Sequence, residues 1–150
     1  MSLLVQKYGG TSVGTVERIQ AVAERVIKTV QQGHRVVVVV SAMSGETNRL
    51  LSLADEISDE PLPRELDVLV STGEQVTTAL LCMALSELGQ KARSYTGRQA
   101  GILTDDSYNK ARINHINTDA VMKDLNDGCV VVLAGFQGCL LYTSPSPRDS

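Results

Sequence analysis

The stretch Gly33-His-Arg-Val36-Val-Val-Val-Val40-Ser41-Ala-Met-Ser-Gly45 decides how this chain is read. Five consecutive valines are β-branched and apolar with no polar alternation, which is the pattern of a strand buried on both faces in a parallel sheet. Upstream, Val16, Ile19, Val22, Ala23, Val26 and Val30 recur every three or four residues. They predict a helix from about Thr15 to Gln32, with Glu17 suited to its N-terminal dipole and Gly33 as its stop. Before it, Leu3–Lys7 reads as a short strand ending at Gly9-Gly10. Downstream, a helix starts near Glu46 or Thr47 with Leu50, Ala54 and Ile57 on one face.

Pro61 and Pro63 then punctuate the chain, and Arg64–Val70 is a short amphipathic piece. Ser71-Thr-Gly-Glu74-Gln75 predicts a new helix start, because Ser71 with Glu74, or Thr72 with Gln75, fits a capping box. That helix carries Val76, Leu80, Met83, Ala84 and Leu88 and stops at Gly89. Lys91–Tyr95 is a strand, and Ile102–Thr104 with Ala111–Ile113 could form a hairpin. Thr118–Asn126 is a short helix closed by Gly128, and Cys129–Ala134 is again a continuous apolar strand. The order predicts an α/β three-layer sandwich on a mostly parallel sheet. Ligands of such sheets sit at the C-terminal ends of strands, which directs the search to Lys7–Gly14, Ser41–Asn48 and Gly135–Gly138.

The chain has 150 residues, 43% hydrophobic and 21% charged, with net charge −3. That is the composition of one globular domain or part of one, and it excludes a disordered or collagen-like chain. No apolar run approaches the roughly 20 residues of a membrane helix, and the start lacks a secretory signal, so no membrane role is expected. The mild acidity argues against nucleic acid as a partner. Cys82, Cys129 and Cys139 are odd in number and widely spaced, which fits reduced, mostly buried thiols of a cytoplasmic protein.

Lys7-Tyr-Gly-Gly10-Thr-Ser12 joins a strand to a helix. Its glycines let backbone approach a ligand, and N–H groups near a helix start favour anions. The lysine precedes the glycines, so this is not a Walker motif, and a tight turn with a solvated lysine explains it equally well. Ser41–Asn48 suits a phosphate or substrate pocket, against helix capping by Ser44 or Thr47. Glu74 is either the second half of a capping box or a carboxylate that holds a substrate ammonium. His34 and His115 have no partners at metal-ligand spacing and read as surface residues; no metal site is expected of the protein.

Lys7-Tyr-Gly-Gly-Thr-Ser, Val-Val-Val-Ser41-Ala-Met, Ser71-Thr-Gly-Glu74, Tyr95-Thr-Gly-Arg-Gln-Ala-Gly101 and Ala134-Gly-Phe-Gln-Gly138 occur in this order. In that order they resemble the aspartate kinases of the amino-acid kinase superfamily, over Met1 to about Gly138. The resemblance implies ATP contacts at Lys7, Tyr8, Gly9, Gly10 and Ser41, with Lys7 the catalytic cation. It implies aspartate contacts at Thr47 and Glu74, and a further substrate-side pair at Leu125 and Asn126, where the family often has an acid second. Tyr8 stands where many members have Phe. The implied reaction moves the γ-phosphoryl of ATP, with Mg²⁺, to the side-chain carboxylate of L-aspartate, a first step towards lysine, threonine, methionine and diaminopimelate. A homo-oligomer is implied for the full-length enzyme. The alternatives are another amino-acid kinase, or a non-catalytic nucleotide- or anion-binding module.

Members of the family continue after Gly-Phe-Gln-Gly into a Gly-Arg-Gly-Gly-Ser-Asp segment with further substrate contacts. Here Cys139-Leu-Leu-Tyr-Thr-Ser-Pro-Ser-Pro-Arg-Asp149 follows instead. It has no helical or strand period, and it is what translation of a transposon-tagging library adapter yields. Residues 1–138 are therefore read as an incomplete N-terminal part of a catalytic domain, with 139–150 a non-native, disordered tail. The fragment by itself is expected to be inactive.

Overall fold

A computed structural model describes residues 2–95 and 118–134. Four strands form one sheet: β1 (Leu3–Tyr8), β2 (Arg35–Val40), β3 (Ala92–Tyr95) and β4 (Val130–Ala134), in the order β1-β2-β4-β3. Every pairing is parallel, with Lys7 opposite Val39, Val39 opposite Leu133 and Tyr95 opposite Leu133. The valine run is buried along its length, as its composition requires. Alternate valines face different layers. Val36, Val38 and Val40 join Ile19, Val22, Val26, Leu81 and Leu85 in one core, while Val37 and Val39 join Val121, Leu125, Val131 and Leu133 in another.

Helix α1 (Val16–Gln31) is capped by the Thr15 hydroxyl, which accepts from the Arg18 N–H at 3.2 Å, and it lies in the first core with α3 (Pro63–Glu87). Helix α4 (Thr118–Asn126) covers the opposite face. Helices above and below a parallel sheet make the three layers expected, and the strands at 3–8, 35–40 and 130–134 are neighbours as predicted. The proposed hairpin at 102–113, His115 and the tail at 139–150 lie outside the described residues.

Three expectations fail in the helices. The 71–75 segment opens nothing: α3 runs unbroken for 25 residues from Pro63, whose fixed φ and missing N–H suit a first helical position. The hydroxyls of Ser71 and Thr72 donate back to the Val68 and Leu69 carbonyls at 2.7 and 2.6 Å, so they serve an existing helix rather than cap a new one. The buried face of α3 is also rotated from the one read from sequence, of which only Leu80 and Ala84 pack, partly buried, against the core. Thr77, Thr78, Leu81 and Leu85 are buried, whereas Val76, Met83 and Leu88 are exposed. Finally, Ile57 at the end of α2 (Glu46–Ile57) is 87% exposed, although Leu50 on the same helix is buried. By length and mean hydropathy alone α3 would suffice to cross a membrane, although Ser71, Thr72, Gln75, Thr77 and Thr78 interrupt any apolar run in it. Its buried residues instead pack in the core beside α1 and the sheet.

Candidate functional site

Two strand exits meet at one end of the sheet. The Ser41 N–H donates to the Tyr8 carbonyl at 3.3 Å, so the turn after β1 and the loop after β2 leave side by side. The first turn is closed by the Ser12 N–H on the Gly9 carbonyl at 3.0 Å. A Cβ at Gly14 would lie 3.1 Å from the Ser44 Cβ, a contact tight enough that the two loops would have to shift by a few tenths of an ångström to admit a side chain there. Nothing lies within 4 Å of a Cβ at Gly9, which leaves space beside that backbone. Between the loops is an open cleft of about 400 Å³, lined on one side by Gly10 and Thr11 and on the other by Ser41, Ser44, Thr47 and Asn48.

Helix α2 begins at this cleft. Its N-cap is Gly45, in the left-handed region at φ +84°, and no side chain caps it. The hydroxyls of Ser44 and Thr47 are therefore not spent on capping, which removes the structural explanation weighed for them. The Glu46 N–H donates to the Met43 carbonyl at 3.0 Å, and the rest of this first turn has no side-chain cap, a setting that suits an anion. In the same first turn Glu46 accepts from Arg49 at 3.0 Å, and that guanidinium holds its carboxyl below the usual range.

Glu74 loses its capping explanation as well, because it sits in mid-helix. It is 6% exposed and follows Gly73, where a Cβ would meet the Ala42 Cβ at 3.2 Å and Leu50 Cδ1 at 3.3 Å. That close approach brings α3 against the Ser41–Thr47 loop. Lys7 lies one residue before the end of β1, exposed, on the sheet face of Val39 and opposite to Tyr8. Tyr8 packs its ring into the first core and donates its hydroxyl to Gln6 Oε1 at 3.1 Å. Ser41, Thr47 and Gly10 thus line the cleft itself. Lys7, Tyr8 and Gly9 precede it at the same end of the sheet, with Lys7 on the sheet face of the second core, and Glu74 is buried next to Gly73; none of these four is among the residues that line it.

Leu125 and Asn126 do not belong to this group. Leu125 is 3% exposed in the second core, and Asn126 Oδ1 accepts from Arg35 Nη1 at 3.0 Å at the start of β2. Both border a separate cavity of about 240 Å³ with Gly33, His34, Arg35 and Cys129, at the opposite end of the strands. Helix α4 runs back toward the start of β4, which carries its last residues away from the cleft. His34 is half-buried there rather than solvated, and neither its Nδ1 nor Arg35 Nε has a hydrogen-bond partner. The sequence reading did not single out Thr11, Ser44 and Asn48 as ligand-facing. Their signal was present, as polar side chains on the same two strand exits.

Among the described residues no three His, Cys, Asp or Glu gather as a metal cage. The sequence pattern of the amino acid kinase family matches residues 2–143.

The chain belongs to the amino acid kinase family. Over 138 residues this amino acid kinase is 64% identical to an aspartokinase of Pseudomonas aeruginosa and 63% identical to an aspartate kinase of Pseudomonas putida. Each alignment covers 92% of this chain and 34% of the relative, so the chain spans about a third of the length of the curated relatives it matches. The crystal structure of an aspartate kinase from Synechocystis superposes with a TM-score of 0.76 at 51% identity, over 90% of this chain and 22% of that one.

Proposed function

We propose that this chain is the N-terminal part of an aspartate kinase, which transfers the γ-phosphoryl group of ATP to the β-carboxylate of L-aspartate. The observation that carries the reading is the meeting of the Gly10–Thr11 turn, just after Lys7, with the Ser41–Thr47 stretch at one cleft, in a chain so similar to aspartate kinases. In the transfer a carboxylate oxygen attacks phosphorus, the bond from phosphorus to the β,γ-bridging oxygen breaks, and ADP leaves. The substrate is the nucleophile, so the protein needs no covalent intermediate. Its work is to align two anions and to offset their charge.

On this reading the Lys7 ammonium and the N–H groups around Gly9 and Gly10 hold the phosphates, with Ser41 beside the nucleotide. Thr47 and Glu74 hold aspartate, Glu74 through its ammonium group. Leu125 and Asn126 have no part in this cleft. Mg²⁺ accompanies the nucleotide, and because the described residues form no cage for it, no step is assigned through it. The product is an acyl phosphate that leads towards lysine, threonine, methionine and diaminopimelate. The full-length protein is proposed to be a cytoplasmic homo-oligomer, and residues 139–150 to be a non-native tail.

The test is a hydroxamate assay for the acyl phosphate on a gene product of the relatives' length. ATP- and aspartate-dependent hydroxamate is expected, with Lys7→Ala lowering kcat about 10²-fold or more. Glu74→Gln should raise KM for aspartate with little change for ATP. Absence of aspartate-dependent product, or a Glu74→Gln effect confined to thermal stability, would overturn the respective assignment.

A further inference from the structure

Helix α3 is about 37 Å long at 1.5 Å per residue, while the five residues of β4 span about 17 Å. Its buried residues lie between Val70 and Leu85, and none from Pro63 to Leu69 is buried. That first stretch, with the end of α2 beside it, forms an arm that carries no core. Between the two helices lies a groove of about 720 Å³, lined by Leu53, Ile57, Leu62, Leu66 and Leu69. Leu53, Ile57 and Leu62 are 44%, 87% and 70% exposed, a clustering of large apolar side chains that marks an interaction surface.

The border of the groove has a single sign. Glu56, Glu60 and Glu65 line it, and from Leu53 to Leu69 the chain carries six acids against one base, Arg64. That arginine lies 3.6 Å from Glu65 and is almost fully exposed. The net charge of the whole chain is only −3, so its negative charge is concentrated here.

We infer that this groove docks a cationic amphipathic helix of a partner protein. The apolar ridge of such a helix, at spacings of three and four, fits between α2 and α3, and its flanking Lys or Arg side chains meet the acidic border. A second copy of the chain fits less well, because two-fold pairing would set the same acidic border against itself. The inference rests on the charge and shape of the arm and not on the kinase reading.

The probe is a fluorescein-labelled helical peptide of about 18 residues, five turns, with leucines on one face and lysines on the other. Its anisotropy is followed as a gene product of the relatives' length is added, beside a peptide with glutamate in place of each lysine. The lysine peptide is expected to bind about tenfold or more tightly than the glutamate peptide, and to weaken as salt rises. Ile57→Ser and the double variant Glu56→Gln/Glu60→Gln should each weaken it by about tenfold with unchanged circular dichroism, since these side chains take no part in the core. Equal binding of the two peptides, unsaturable binding, or variants that bind like the parent would overturn the inference. So would sedimentation showing a dimer that Ile57→Ser dissolves, which assigns the groove to a second copy.

Discussion

Asp124 on α4 is a carboxylate with 8% exposure, and it accepts a hydrogen bond from the Tyr95 hydroxyl at the end of β3. Arg93 reaches the same carboxylate at 3.8 Å but is largely exposed, so it contributes little. Tyr95→Phe leaves the buried acid without its main partner and should cost about 1–3 kcal/mol in urea unfolding. Asp124→Asn keeps an acceptor and should cost less. Burial first, and then the bond to Asp124, pushes the Tyr95 hydroxyl up to about 12 from 10.0. The folded state therefore holds this proton more tightly than the unfolded chain. The linked stability is complete below pH 10 and is lost as pH rises toward 12. Urea midpoints measured across that window should fall, and Tyr95→Phe should flatten the fall. Cys82 is a second case of burial acting on one group: it pushes the thiol up to about 11 despite a hydrogen bond with Ser94. Its alkylation by iodoacetamide at about pH 8, read by mass spectrometry, should be far slower than that of an unhindered thiol, because the thiolate is the nucleophile.

Helix α3 is where local and tertiary signals part. Ser, Thr and Gly at 71–73 have the local chemistry of a helix start, but hydroxyls in mid-helix can bond backwards to their own carbonyls. Gly73, a poor helix former, is the residue that lets Ala42 and Leu50 approach. From Val76 to Leu88 the helix is apolar on nearly every side, so a period of three or four fits more than one face. Packing against α1 and the sheet selects Leu81 and Leu85. Leu81→Ala should therefore cost about 2–5 kcal/mol in a thermal or urea melt. Met83→Ala, at a position with 64% exposure, should stay within about 0.5 kcal/mol. Equal losses at the two positions would return the buried face to the one read from sequence.

The sheet is asymmetric at the scale of the molecule. Leu3 and Val5 share a face with Val37 and Val39, and they are 43% and 55% exposed at the β1 edge, while α4 packs over β2 and β4. Among the described residues no strand pairs with the outer side of β1, and an edge with apolar side chains templates further pairing. Val5→Lys should raise the concentration the chain reaches before it aggregates, measured by light scattering, with the melting midpoint little changed.

How much could be read beforehand follows from the same physics. The valine run, the α1 stripe and the glycine stops each have a cause within a few residues, so the strands, three of the helices and the parallel class were legible. That the turn after β1 and the loop after β2 leave the sheet together was legible for a like reason, because parallel pairing sets the exits of neighbouring strands side by side. The continuity of α3, its buried face and the exposure of Ile57 depend on contacts between residues far apart in the chain. So does the separation of Leu125 and Asn126 from the cleft: a helix that precedes a parallel strand ends beside that strand's start, and only the assembled sheet places that start at the end opposite to the strand exits.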